Sequence, residues 1–332
     1  HLKLIMKVIN KYIYNIFVAI SISIILRLLF LNIYGDTTLE NEWGTLFYNL
    51  KNNGVLSYKS FEGQFIPSVY MPPLYVYFIY LIDIFVPNEE YLVKSILIIQ
   101  IFLTGVSIFF FYKINLIFFS KKISLIPTYI FIFFPMHIYS CLQISSITIQ
   151  IFLNIFFLYL FLKIMNTKFD FKTNLMLGFV CGLSILLRGE FILIFIFSIL
   201  YLKLFKKINF KQMILITLIT IITITPYLIR NYFVFEKITV TKSLGYNLWK
   251  GNNIDASVEG SESSKAFKTG EINNKINRLP KDNLYDFNYD KIFLENSINF
   301  IKENPILFVE RYIKKFLAFT FFNLKSNYVN YY

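Results

Sequence analysis

An all-α polytopic membrane protein is the fold class this sequence predicts, and three observations predict it. Of its residues 56% are hydrophobic and 20% aromatic, above the range of water-soluble domains. Apolar runs long enough to cross a bilayer recur along the chain. Lysines cluster at every second end of those runs, as they do in cytoplasmic loops.

The formal net charge of +13 raises nucleic acid as a partner, but Lys carries it, with only five Arg (Arg27, Arg188, Arg230, Arg278, Arg311). No basic helix with base-reading side chains is present, so no nucleic-acid partner is expected. Lys, Ile, Asn, Phe and Tyr are over-used together, as AT-rich coding produces, so the placement of lysines says more than their number. Cys141 and Cys181 each lie inside an apolar run, which leaves no disulfide framework and no metal spacing. The chain opens on His1 and stops soon after an apolar run, which reads as a fragment.

Residues 12–33 form the first run. Lys3, Lys7 and Lys11 precede it and no small-residue cleavage site follows, so it reads as a retained helix with a cytoplasmic N-terminus. Arg27, near its outer end, reads either as a snorkelling or helix-packed cation or as a catalytic one. Further spans are expected over 93–112, 123–144, 147–165, 174–188, 190–205 and 212–229. If 93–112 runs inward, then Lys113, Lys121 and Lys122, then Lys163, Lys168 and Lys172, then Lys203, Lys206, Lys207 and Lys211 all fall on the cytoplasmic side. That topology requires the run 72–86 not to cross. At roughly 15 residues it is short for a span, opens on Pro72-Pro73 and carries Asp83, which fits an amphipathic or re-entrant helix at the outer surface.

The transmembrane core is thus expected over 1–229, with an acidic extracytoplasmic loop at 34–92. Beyond Pro226 the composition turns polar, and 230–305 is long enough for a small extracytoplasmic subdomain or lid. The C-terminal stretch 306–332 holds an apolar helix, 306–324, that either returns through the membrane or lies along it.

The chemistry narrows by elimination. No GxxxxGK[ST] or GxGxxG loop is present to cradle a nucleotide, and His137, the one internal histidine, lies in an apolar span, which removes HExxH and Ser-His-Asp arrangements. At the outer face remain three carboxylates, Asp36, Glu40 and Glu42, the cations Arg188 and Arg230, and the polar aromatic cluster Tyr246 to Asn253. Group transfer from a membrane-bound phosphate carrier needs a carboxylate to take the acceptor's proton, a guanidinium for the leaving phosphate and an aromatic, amide-rich surface for a sugar. Each also has a plainer reading: the acids as helix N-terminal charges over 40–52, Arg188 as an interface anchor, and Tyr246 and Trp249 as belt aromatics. Ser145, Ser146 and Thr148 make an outer turn without an acid, Gln150 and Asn154 suit interhelical hydrogen bonds, and Gly178 and Gly182 form a close-packing pair.

The order of ENEWGTLFYNLKNNG (40–54), PPLY (72–75), LLRGE (186–190), TPYLIRNY (225–232) and GYNLWKGNN (245–253) resembles the GT-C polytopic glycosyltransferases of the family 39 type, which include protein O-mannosyltransferases and the lipid A aminoarabinose transferase. The resemblance implies a GT-C helix bundle that transfers a sugar, with inversion, from a polyprenyl-phosphate donor to an acceptor hydroxyl on a glycan, lipid or protein. It implies Glu42 or Glu40 as the base, with Asp36 third, and Arg188 and Arg230 at the carrier phosphate. It also implies Asn231, Tyr246, Trp249, Lys250, Asn252 and Asn253 at the substrate. The chain departs from the family at Ser145-Ser146, where an acid is often found, and at Tyr70-Met71, where some members carry a basic residue. Members usually run longer. The three acids could hold a divalent cation, although without a ligand from the second loop they make a poor cage. The expected setting is a bacterial inner membrane with an extracytoplasmic site. The competing class is a non-enzymatic carrier or flippase for a lipid-linked glycan, and a membrane subunit of an assembly or polymerase is a third.

Overall fold

A computed structural model describes residues 15–166, 170–205, 207–256, 258, 267 and 269–320. Lys3, Lys7, Lys11, Lys168 and Lys206, and the end of the expected helix 306–324, lie outside them. The described residues hold fourteen helices and one two-stranded hairpin, in two compact units, 15–56 with 72–230 and 57–71 with the described residues from 231 to 320. Four helices are long and apolar enough to cross a membrane: α1 (Ile16–Tyr34), α4 (Glu89–Phe118), α7 (Ile147–Asn166) and α10 (Phe210–Phe235). The chain is an integral membrane protein on that ground.

In the first unit, α1 runs antiparallel to the later turns of α4. Ala19 packs with Ile108, Gly105 faces Ile20 and Ile24, and Leu31 packs with Ile101. Only this later part of α4 pairs with α1. The earlier turns run beside α3 (Leu74–Phe85), whose Tyr75 donates to Gln100 Oε1 at 3.0 Å. A helix of 12 residues is about 18 Å long, too short for a core of about 30 Å. The run 72–86, expected not to cross, is this short helix. Alongside lies α2 (Glu42–Asn53). Asn41 caps its N-terminus by accepting from Trp43 N and Gly44 N, Gly54 ends it in the left-handed conformation at φ 68°, and its Lys51 pairs with the buried Asp83 at 2.7 Å.

The expected single span 123–144 is instead two helices and a turn. α5 (Lys121–Phe133) stops where Phe134, extended at φ −66° and ψ 116°, precedes Pro135, and α6 (Pro135–Ser140) starts with that proline. The physical reason is the clash between a proline ring and a helical residue before it, together with the missing N–H. Arg27 lies fully buried against this break, donating to Ser23 Oγ at 2.5 Å and to Ile132 O at 3.3 Å. This is the helix-packed reading of Arg27, with Nε and Nη2 left unpartnered.

The remaining helices alternate in direction: α7, α8 (Phe171–Leu187), α9 (Phe191–Leu204) and α10. α8 and α9, where spans were expected over 174–188 and 190–205, are apolar but at 17 and 14 residues fall short of the roughly 20 residues that cross a bilayer core. One end of the bundle collects the lysines: Lys163 pairs with Asp170 at 3.0 Å and Lys207 donates to Met165 O at 3.0 Å. α8 and α10 run parallel in close approach, Gly178 against Ile216 and Ile219, Gly182 against Thr220 and Thr223. Thr220 Oγ1 donates to Gly178 O at 3.0 Å.

In the second unit, β1 (Lys59–Phe61) and β2 (Gln64–Ile66) form a hairpin whose two turn residues, Glu62 and Gly63, both have positive φ, as a tight hairpin turn requires. Helices α11 (Leu244–Gly251), α12 (Gly270–Asn277), α13 (Tyr285–Glu303) and α14 (Pro305–Thr320) complete it. Its core is aromatic: Tyr246, Trp249, Phe267, Tyr285, Tyr289 and Phe293. Two carboxylates one turn apart on α13 tie the segments together. Asp286 accepts from Ser68 Oγ at 2.6 Å, Val69 N at 3.0 Å and Tyr70 N at 3.1 Å, and Asp290 accepts from Tyr246 N at 3.0 Å. The acidic loop 34–92 is therefore not one element, since 57–71 folds with the polar segment.

A Cβ at Gly182 would sit 2.5 Å from Thr223 Cβ. Gly182→Ala is expected to cost about 1–3 kcal/mol by overpacking, read as a lowered unfolding midpoint in detergent, with Gly270→Ala, which meets nothing within 4 Å, as the tolerated control.

Candidate functional site

The site grows from backbone that is not helical. Between α6 and α7, residues 141–146 lie at the Tyr34 end of the bundle, and their amides and carbonyls need partners from elsewhere. Gln100, fully buried in the middle of an apolar helix, donates to Cys141 O at 3.1 Å and Gln143 O at 2.9 Å. Gln143 donates to Tyr34 O at 2.8 Å, and Asp36 N donates to Leu142 O at 3.0 Å. Asn41 Nδ2 donates to Ile144 O at 3.0 Å while its Oδ1 caps α2.

Asp36 belongs to this network. Its Oδ2 accepts from Ile144 N at 2.6 Å, and the side chain is half-buried. Burial pushes its carboxyl above the ordinary aspartate range, and the Ile144 N–H opposes that in part. Glu40 and Glu42 differ from it. Both are exposed, and Glu42 is the first residue of α2, where a negative charge suits the helix dipole.

At the far end of the same turn stands Arg188, the residue that ends α8. Its Nη2 donates to Ser146 Oγ at 3.3 Å and its Nε to Gln150 Oε1 at 3.2 Å. Among the described residues it forms no ion pair with a carboxylate, and two of its five N–H groups are engaged. A small cavity of about 10 Å³ beside it, lined by Gln150, Asn154 and Ser184, is near the size of one water. Arg230 reaches the same end through the α8–α10 register, because Gly182 lies level with Thr220 and Thr223. Its guanidinium lies 5.9 Å from the centre of the Tyr227 ring.

The other expected substrate residues belong to the second unit. Asn231, fully buried, donates to Thr239 O at 2.6 Å and folds the chain back after α10. Tyr246 and Trp249 are core residues, 7% and 8% exposed, with Trp249 Nε1 donating to Phe267 O at 2.9 Å. In this arrangement their rings serve packing. Asn252 donates to Leu248 O and Asn253 to Trp249 O, both closing the end of α11, while Lys250 stands in its last turn. Arg311 donates to Asn253 O and Ile254 O, and Lys315 donates to Gly251 O, so cations of α14 cover the carbonyl end of α11.

Among the described residues no group of three His, Cys, Asp or Glu side chains is placed to hold a metal ion. Asp36 spends one carboxylate oxygen on the Ile144 amide. Sequence reasoning missed Asn41, Gln100 and Gln143. The signal for Gln100 was present, since an amide inside an apolar run needs a partner in the membrane. No family model, curated protein or solved structure matches the chain.

Replacing Gln100 with the near-isosteric Leu leaves two buried carbonyls and the Tyr75 hydroxyl without their partner. Gln100→Leu is expected to lower stability by about 2–4 kcal/mol, measured by denaturant unfolding in mixed micelles.

Proposed function

We propose that the chain is a membrane glycosyltransferase, moving a sugar from a polyprenyl-phosphate-linked donor to an acceptor hydroxyl at the Asp36 end of the bundle. The observation that carries this reading is that two expected site residues meet one turn, 142–146: the Asp36 carboxylate at Ile144 and the Arg188 guanidinium at Ser146. A proton acceptor and a phosphate-binding cation that both lean on one turn are what an in-line displacement needs.

In this reading Asp36, rather than Glu42 or Glu40, is the base. Its carboxyl is half-buried and its affinity for a proton is raised, which suits a general base better than an exposed glutamate does. As the acceptor oxygen attacks the anomeric carbon, its proton passes to the Asp36 carboxylate. The bond from that carbon to the phosphate oxygen breaks, its electron pair stays on the phosphate, and the N–H groups of Arg188 not used on Ser146 and Gln150 meet the added charge. Arg230 stands second to it. The lysine-rich end of the bundle faces the cytoplasm by the positive-inside rule, which puts Asp36 and Arg188 outside.

A second reading, a carrier for a lipid-linked glycan, is favoured by Arg27, a buried cation inside a candidate span with two nitrogens unpartnered. The two readings separate in one assay. Full-length protein in lipid vesicles is given radiolabelled polyprenyl-phosphate sugar and a panel of acceptors. Transfer by the native chain, lowered roughly 10²–10⁴-fold by Asp36→Asn with donor binding kept, supports the enzyme. Donor movement across the bilayer without transfer, abolished by Arg27→Met, supports the carrier.

The pH dependence follows from the same carboxyl. A raised pKa in the fold means the protonated form is favoured there. Its stabilising contribution is complete below the unfolded-state pKa and is lost as pH rises through the folded one. The base works only when ionised, so transfer should rise with pH along a limb lying above the ordinary aspartate range. Initial rates measured across pH check this, and Glu40→Gln and Glu42→Gln should leave the limb in place.

A further inference from the structure

α7 and α8 run antiparallel, tied at one end by Gln150 with Arg188 and at the other by Lys163 with Asp170. Gln150 and Asn154 lie one turn apart on α7, as do Ser184 and Arg188 on α8 and its cap. Because Gln150 Oε1 accepts from Arg188 Nε, this register brings Asn154 level with Ser184, roughly 6 Å further into the bundle. The four polar side chains line the cavity of about 10 Å³, and its other walls, Leu153, Leu187 and Phe191, are apolar and buried.

Ser184 differs from the other hydroxyls of the apolar helices. Thr104, Ser107, Thr128, Thr220 and Thr223 each donate to the carbonyl four residues earlier, the ordinary partner of a hydroxyl inside a helix. Ser184 is 3% exposed, and its Oγ has no partner among the described residues. A buried hydroxyl without a bond is costly, so Ser184 calls for a partner in the cavity that it lines. Arg188 makes a similar demand from above, with two of its five N–H groups bonded. The cavity has room for about one water, and a water carries the hydrogens and lone pairs to join a hydroxyl, a guanidinium and an amide.

We infer that one ordered water stands between α7 and α8 beneath Arg188, accepting from its guanidinium and hydrogen-bonded to Ser184 Oγ. Ser184 is thereby a positioning residue. It supports the guanidinium from below, while Ser146 and Gln150 hold it from the turn and from α7. One N–H given to the water leaves two of the five for a phosphate, the number that a bidentate pair uses. The water is independent of the transfer reading, whereas the positioning of a phosphate-binding guanidinium rests on it.

The test uses full-length protein in lipid nanodiscs and has two arms. In the first, X-ray pulses make hydroxyl radicals from heavy-oxygen water, and the oxygen added to each side chain is read by mass spectrometry. Lipid shields the bundle from bulk radicals, so a buried side chain is labelled where bound water lies beside it. Leu187 and Phe191 should be labelled several-fold above Leu177, which is equally buried on α8 but away from the cavity. Ser184→Val should remove that excess, and Ser184→Thr, of the same shape with the hydroxyl kept, should retain it. Asn154→Leu, at an exposed position, fills the cavity from α7 and should remove the excess where Ser184→Val does not fold. No excess in the native chain, or an excess unchanged by Ser184→Val and Asn154→Leu, overturns the water. In the second arm, binding of polyprenyl phosphate without a sugar should weaken several-fold in Ser184→Val and stay native in Ser184→Thr. Labelling lost with binding unchanged overturns the positioning role. Native protein that does not bind polyprenyl phosphate overturns the carrier-phosphate reading of Arg188 and the positioning role with it, and the first arm still decides the water.

Discussion

Backbone that leaves the helical path at a membrane boundary must find its hydrogen bonds in side chains, and that constraint shapes the first unit. Pro135 ends α5, and the chain does not resume a long helix until Ile147. Within that interval Gln100, Asn41, Asp36 and Gln143 serve as donors and acceptors for the turn or its neighbours. Asp36 and Asn41 come from the loop between α1 and α2 and Gln100 from α4, so the turn is also where those elements meet. The acid and the guanidinium of the proposed site are members of this framework. Chemistry and architecture share the same few polar groups, and a change at either is felt by the other.

The second unit uses a comparable device away from helical ends. Asp286 receives three donors from 68–70 and Asp290 receives the amide of Tyr246, so two buried carboxylates one turn apart fasten a strap and a helix onto α13. Around them the aromatic core supplies most of the burial. Gly245 lies against the carbonyl of Asp290, where a Cβ would come within 2.2 Å, and this lets α11 approach closely enough for Tyr246 to reach the carboxylate.

Much of this was legible in the sequence, and the exceptions have physical causes. The lysine clusters and Pro72-Pro73 gave the alternation of helices and the short α3, because charge and missing N–H groups act locally. The break at Phe134-Pro135 was written in the chain too, but the continuous apolar composition around it made 123–144 read as one span. The resemblance placed Asp36 below Glu42 and Glu40, and neither it nor spacing can show burial. Asp36 is half-buried through a contact with Ile144, 108 residues away. Tyr246 and Trp249 read as belt aromatics from the sequence and as substrate residues from the resemblance, and both readings leave them exposed for the same reason. Their burial depends on Phe267, Tyr289 and Phe293, which pattern alone does not bring to them. The strap 57–71 was hidden in the acidic loop because its partner, Asp286, lies far downstream.

The close parallel packing of α8 and α10 has a mechanical consequence. Gly178 and Gly182 let the backbone of α8 lie directly against Ile216, Ile219, Thr220 and Thr223 of α10, which fixes the register of the two helices. Arg188 and Arg230 both stand at the same end of that pair. The two cations are therefore held in one register, while the other side of the 142–146 turn is set by Asp36, on the loop between α1 and α2.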